Sequence, residues 1–262
     1  MDNRPIGFFD SGVGGVTTIP HIMRMLPNES IIFFGDTART PYGSKSAKTI
    51  RQFTLQIGEF LKNNDVKMIV IACNTVSSTA LELLRETYPD IPIVGCITPT
   101  AKEVVKICDK DSRIGIMATK ATVKSGVYED KIKSLNEELF IESIACPALV
   151  PLIEEGIIDN EIMDLTLKYY LDDFIRENDI NTLILGCTHY PLISKNLQRL
   201  YPNIKIFSSS KEVATAVKME LEAADMLSQN ENAKSIFYAS DLSENFVNMI
   251  ERILGRDSDE LN

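Results

Sequence analysis

Short apolar runs alternate with amphipathic stretches along nearly the whole chain. Runs rich in Ile, Val, Leu and Phe read as buried strands at 5–9 (PIGFF), 31–34 (IIFF), 67–72 (KMIVIA), 91–95 (IPIVG) and 113–118 (RIGIMA). Further runs stand at 139–144 (LFIESI), 182–186 (TLILG), 204–207 (IKIF) and 235–239 (SIFYA). Between them the period changes. From 44 to 62, Ile50, Phe53, Ile57, Phe60 and Leu61 recur at steps of three, four and one, which paints one face of a helix. Met163, Leu167, Tyr170, Leu171 and Phe174 do the same over 160–176, and Phe246, Ile250 and Ile253 repeat it near the C-terminus. Strand–helix alternation of this length predicts an α/β protein with parallel sheets flanked by helices. Ligands of such sheets bind beyond the carboxyl ends of the strands.

The pattern also echoes itself. RPIGFFDSG at 4–12 is similar to SRIGIMATK at 112–120, and IVIACNT at 69–75 is similar to LILGCTH at 183–189. Both echoes lie about half a chain apart, in the same order, as expected of two pseudo-symmetric lobes with a site in the cleft between them. The first lobe is expected to comprise 1–97 plus 208–262, and the second 98–207. The closing GRDSDELN is polar and expected to fray.

The chain of 262 residues is long enough for a substantial core. No run is apolar for the length a membrane helix needs, and the N-terminus has no basic region followed by an apolar segment, so neither a membrane span nor a secretion signal is expected. The net charge of −10 and the scattered basic residues argue against a nucleic-acid partner. Five cysteines, Cys73, Cys96, Cys108, Cys146 and Cys187, are an odd number with no Cys-x-x-Cys spacing. That argues against a disulfide framework, a zinc ribbon and a thioredoxin-type redox pair and points to reduced thiols.

Two of these thiols have matched settings. Cys73 closes a strand and precedes NTVSSTALELLRETY, a helical stretch, so it is expected at the positive end of a helix dipole with a pKa lowered toward neutrality. Cys187 is read as standing in the same setting, followed by Thr188 and His189, where the imidazole is placed to tune the thiol or pass a proton. Cys96, Cys108 and Cys146 lack that setting and read as structural, and His21, in a helical stretch, reads as a surface or packing residue. No second histidine or carboxylate stands at metal-ligand spacing to His189, so no metal is expected. FFDSGVGG at 8–15 puts Asp10 and Ser11 at a strand end, with glycines that let backbone amides turn toward an anion. It lacks both nucleotide fingerprints, G-x-G-x-x-G and the Walker lysine pair. GDTARTPYGSKS at 35–46 is a turn-rich connection whose Pro41-Tyr42-Gly43 is able to close over a small ligand. Glu154 and Glu155, in PALVPLIEEG, pass on their own for a solvated charge pair.

Together GFFDSGVGG, FFGDTARTPYG, IACNTVSS, MATKATVKSGVY, ACPALVPLIEEG and GCTHYPLI resemble the glutamate racemases of the aspartate/glutamate racemase family, over essentially the whole chain. The resemblance implies cofactor-independent interconversion of L- and D-glutamate, with Cys73 and Cys187 as the two acid/base residues. It implies that Asp10, Ser11, Tyr42, Gly43, Asn74, Thr75, Thr188 and His189 contact or orient glutamate. Thr119 and Thr122 match the T-x-x-T segment that borders the family's site, and Asp10, His189 and Glu154 are implied as supports of the thiols. It further implies a cytoplasmic homodimer that supplies D-glutamate for peptidoglycan, and hence for cell wall biogenesis and cell shape. FSSSKEVA at 207–214 departs from the acidic residue before serine that many relatives carry, and no role rests on it. Racemisation explains a pair of thiols: a proton leaves one face of Cα and another arrives on the opposite face. The alternatives are an aspartate or hydantoin racemase of the same plan, a cysteine-dependent amide hydrolase using Cys187, His189 and Glu154, and a non-catalytic binding protein.

Overall fold

The computed structural model describes residues 1–255 of the chain; 256–262, almost all of the tail expected to fray, lie outside the described residues. Strands form where the apolar runs predict them: β1 (Ile6–Asp10), β2 (Ile31–Gly35), β3 (Met68–Ile71), β4 (Ile93–Gly95), β5 (Arg113–Ala118), β6 (Phe140–Ala145), β7 (Thr182–Gly186), β8 (Lys205–Ser208) and β9 (Ser235–Ala239). They build two parallel sheets, in the orders β4-β3-β1-β2-β9 and β6-β5-β7-β8. Every residue of β1 and of β7 is buried, as expected of parallel strands covered on both faces.

The sequence echo is a topological one. Read from the other end, the second sheet runs β8-β7-β5-β6, which matches β4-β3-β1-β2 strand for strand. β5 therefore stands where β1 stands, and β7 where β3 stands. β1 pairs with β3 from Ile6↔Met68 onward, and β5 with β7 from Ile114↔Thr182 onward. β9 is an addition to the first sheet, paired parallel to β2.

The helices arise from the predicted periodicities and are started by side-chain caps. Ser46 accepts the Thr49 N–H at 3.2 Å to open the helix Ala47–Asn63, which buries Ile50, Ile57 and Leu61. Asn160 accepts the Met163 N–H at 3.1 Å to open Glu161–Asn178, which buries Met163, Leu167 and Leu171. Ser243 caps Glu244–Leu254, which sinks Phe246 and Ile253 into the core.

Alternation along the strands divides the core. Phe9, Ile69 and Ile71 face the helix Ala47–Asn63 in one apolar cluster. Phe8, Met68 and Val70 face the other way, in a cluster that runs on without a break into Ile114, Ile116 and Ile184 of the second sheet. Each such side chain contributes ~1.5–3 kcal/mol by leaving water. The shared cluster fuses the two halves behind the strand ends, and the loops gather in front.

Candidate active site

Four of those strand ends meet. Ser11 follows β1, Cys73 comes two residues after β3, Thr119 follows β5 and Cys187 follows β7. In each sheet these are two neighbouring inner strands, whose connections leave in opposite directions and open a crevice. Ser11, Cys73, Thr119 and Cys187 line one small cavity, together with Thr40, Pro41, Tyr42, Gly43, Asn74, Thr75, Val150, Thr188 and His189. Asp10, Thr122 and Glu154 stand one contact behind this wall.

Each polar wall residue is held by a specific partner. The Cys73 S–H donates to Ser11 Oγ at 3.2 Å. The Thr188 hydroxyl donates to Asp10 Oδ2 at 3.2 Å, while Asp10 Oδ1 accepts the Gly12 N–H at 3.0 Å. Thr75 Oγ1 lies 2.9 Å from Thr119 Oγ1 and 3.4 Å from Thr122 Oγ1, a hydroxyl cluster that bridges the two halves. On the far side, His189 Nδ1 lies 3.8 Å from the Cys187 sulfur, and His189 Nε2 lies 3.1 Å from Glu154 Oε1. Thr40 donates to the same Glu154 oxygen at 3.2 Å.

Burial and these partners set the charges. Burial alone pushes His189 toward neutrality, but its contacts with Cys187 and Glu154 outweigh that and hold its pKa well above the usual imidazole range. Burial raises Glu154, and its bond and charge interaction with His189 reverse this, so its pKa ends below the usual carboxyl range. Imidazolium and carboxylate therefore form an ion pair behind Cys187. Burial raises Asp10, and the nearby imidazolium, the Gly12 and Gly15 amides and Thr188 offset only part of that rise. Burial, then the Asp10 carboxyl, pushes Cys73 far up, against the opposing bonds from Ser11 and the Val76 N–H.

The thiol settings differ from expectation in three ways. Cys73 does sit at the N-terminus of a helix, Asn74–Thr87, but desolvation overrides the dipole and the thiol is raised rather than lowered. Cys187 leads into a turn and the short 3-10 segment Tyr190–Ile193, so no α-helix dipole points at it, and its cation is the His189 side chain instead. Cys96 does have a strand-to-helix setting, between β4 and the helix Ile97–Ile107. It lies one strand away from the cavity, bonded to Ser77 Oγ and pushed by burial up to about 12. Cys108 ends that same helix, Cys146 follows β6, and both are buried. His21 is buried in the helix Ile19–Met25, so it packs rather than facing solvent.

Close approach of backbone completes the cavity wall. A Cβ on Gly14 would lie 2.5 Å from Thr188 Oγ1 and 2.6 Å from His189 Nδ1. One on Gly43 would lie 2.5 Å from Thr119 Cβ. The two halves close this tightly only because neither position carries a side chain.

Two partners were not flagged in the sequence. Asp36, fully buried after β2, accepts from Arg39 Nε at 2.9 Å and from the Tyr42 hydroxyl. The Tyr42 phenol thus fastens its own loop. Tyr128, buried in the helix Val127–Leu135, donates to Asn74 Oδ1 at 2.6 Å. Both contacts join distant or turn-separated residues without periodicity to mark them. Among the described residues, no cluster of three or more His, Cys, Asp or Glu could hold a metal, and no helix is long and apolar enough to cross a membrane.

The family model described as Asp/Glu/Hydantoin racemase matches residues 16–217, from just after Ser11 to well beyond Cys187. The chain belongs to this family. It is similar to a glutamate racemase of Geobacter metallireducens, 41% identical over 257 residues that cover 97% of this chain and 94% of that protein. Among solved structures it is similar to glutamate racemase from Francisella tularensis in complex with D-glutamate, with a TM-score of 0.91 and 37% identity over 98% of this chain and 95% of that one. Glutamate racemase from Bacillus anthracis superposes with a TM-score of 0.92 at 36% identity, over 98% and 96% of the respective chains.

Proposed function

We propose that this family member is a glutamate racemase that interconverts L- and D-glutamate without a cofactor, using Cys73 and Cys187 as paired acid and base at Cα. The observation that carries the reading is that two thiols, brought by equivalent strands of two different sheets, border one small cavity. The glutamate racemase names of the relatives and the D-glutamate held by one of them support glutamate as substrate.

In this reading one sulfur begins as thiolate and takes the α-proton, while the other begins as thiol and delivers its proton to the opposite face. The reverse reaction starts from the exchanged protonation states. A coupled pair of this kind titrates as a unit. The α-proton is very weakly acidic, so the carbanionic charge that spreads into the α-carboxylate needs preorganised donors. Ser11, Asn74, Thr75 and Thr188 with the main-chain N–H groups at Tyr42 and Gly43 supply them, and Thr119 extends the wall with Thr122 behind it. Asp10 and His189 act through the thiols and Thr188, and Glu154 acts through His189. Exclusion of water strengthens each contact. We assign 1–97 with 208–262 to one lobe and 98–207 to the other, in the cytoplasm, as a homodimer that supplies D-glutamate for peptidoglycan. Sedimentation tests the dimer, and rescue of depleted cells by D-glutamate tests the supply.

The deciding experiment is turnover of each enantiomer of glutamate in D2O, with aspartate in parallel. Inverted product carrying deuterium at Cα is expected from glutamate. Product that keeps the substrate hydrogen sinks the two-base reading, and faster turnover of aspartate moves the substrate. One observation favours a second reading: Cys187, His189 and Glu154 stand in the order nucleophile, base and orienting carboxylate of a thiol hydrolase. That reading gives Cys73 no task, and ammonia release from glutamine would be its signature.

A further inference from the structure

Asn74 follows Cys73 directly, is 1% exposed and lines the cavity, yet its amide is only half used. Oδ1 accepts the Tyr128 hydroxyl at 2.6 Å, while Nδ2 has no hydrogen-bond partner among the described residues. A buried N–H pair without a partner is costly, on the order of 1–3 kcal/mol, so its persistence calls for an acceptor that arrives with the ligand. An amide is symmetric in shape, so only its hydrogen bonds decide whether nitrogen or oxygen faces the cavity. Oxygen there would repel a carboxylate.

Tyr128 supplies the constraint from the other half of the molecule. Its helix, Val127–Leu135, belongs to the crossover after β5, whereas Asn74 belongs to the crossover after β3. The phenol is 1% exposed and does not itself line the cavity. Gly126, at φ +66°, turns the chain into that helix and aims Tyr128 inward. Burial raises the phenol well above its usual range, so it stays a donor at every working pH.

We propose that Tyr128 is a positioning residue: its O–H holds the Asn74 oxygen away from the cavity and so commits both Nδ2 hydrogens to a carboxylate of the bound amino acid. This inference rests on the reading of the cavity as a glutamate site. It predicts that Tyr128 matters only through Asn74.

The test is a double-mutant cycle on kcat/KM for glutamate, with thermal unfolding of each variant recorded alongside. N74A removes a donor aimed at developing charge and is expected to cost about a hundredfold. Y128F leaves the amide free to turn, so the correct orientation is populated only part of the time, and about a tenfold loss is expected. In the N74A background, Y128F is then expected to cost less than about twofold. The same loss from Y128F in both backgrounds, or no loss in the wild-type background, overturns the proposal. A wild-type enzyme that does not racemise glutamate instead overturns the reading of the site, which separates the two failures.

Discussion

Cys73 and Cys187 end equivalent strands of two matching sheets, but their neighbours differ in kind. Around Cys73 stand a hydroxyl, a backbone amide and a buried carboxyl, and no cation among the described residues touches the sulfur. Around Cys187 stand an imidazole and, behind it, a carboxylate; against burial, contact with the Cys187 sulfur and then with Glu154 keeps the imidazole charged. The fold duplicates the placement of the sulfurs without duplicating their electrostatics. A cation beside one sulfur favours an anion there, and burial beside a carboxyl favours a neutral thiol at the other. The resting sulfur at 73 is therefore expected to be a thiol, and the sulfur at 187 is the one with an imidazolium at hand. L- and D-glutamate have equal free energies, so the equilibrium constant is one and kcat/KM must be equal in both directions for any variant. The asymmetry is consequently visible only in kcat, in KM, or in partial reactions.

The largest expected effect comes from removing either sulfur. C73A and C187A are each expected to lose racemisation by about three orders of magnitude or more. Their partial reactions should differ. In C73A the remaining sulfur, beside its imidazolium, still removes and returns a proton on one face, so one enantiomer exchanges its α-hydrogen with D2O without inverting. In C187A the remaining thiol has no cation, and exchange of the opposite enantiomer should be slower. NMR of α-deuteration measures both, and equal residual exchange in the two variants would erase the difference between the sites.

A smaller change tests the ion pair behind Cys187. E154Q keeps the contact to His189 but removes the charge that, after the Cys187 contact, helps hold the imidazole protonated. The imidazolium then loses its proton at a lower pH than in the wild type. The alkaline limb of the kcat profile should shift toward acid, with a loss of about tenfold above pH 8 and less near pH 7. A parallel drop at all pH values would mean that Glu154 only supports the loop through Thr40.

The contrast between the two sulfurs also separates what was legible in the sequence from what was not. The strands, the helices with Ile50, Ile57 and Leu61 inward, and the doubled lobe all follow from local period and from the echo between β1 and β5 and between β3 and β7. The cavity wall was legible because loop residues after a parallel strand have one place to go, and Ser11, Cys73, Thr119 and Cys187 arrive there together. Charge state was not legible. Helix-dipole reasoning gave Cys73 and Cys187 the same activated setting, but desolvation depends on what covers the residue, and that cover comes from distant segments. For the same reason Tyr128 against Asn74 and Tyr42 against Asp36 carried no signature. So too the buried pair of Lys67 and Glu29, at 2.6 Å, which fastens the opposite end of the first sheet. Lys67 stood in the sequence as the start of an apolar run, with nothing to show that its amine also reaches the carbonyls of Asp2 and Met226.

The smallest expected effect is on stability, and it bears on the Cys73 side. Asp10 is fully buried and its carboxyl is raised, chiefly by burial. In the folded protein it therefore binds its proton more tightly than in the unfolded chain. Its contribution to stability is complete below the unfolded pKa, near 3.8, and is lost as pH climbs through the folded value. D10N has no such proton to lose. Its side-chain oxygen still accepts the Gly12 N–H, and the Thr188 hydroxyl turns to accept from the new amide. D10N should therefore match the wild type at low pH and become more stable by about 1 kcal/mol once the wild-type carboxyl has ionised. Chemical denaturation across that interval measures the difference. Racemisation should fall in the same variant, because the carboxylate that costs stability is also the one that keeps Thr188 oriented and disfavours a second thiolate at Cys73. A D10N variant less stable than the wild type at neutral pH would show that hydrogen bonds to the carboxylate outweigh its desolvation, and the two sulfurs would then be less unlike than their surroundings imply.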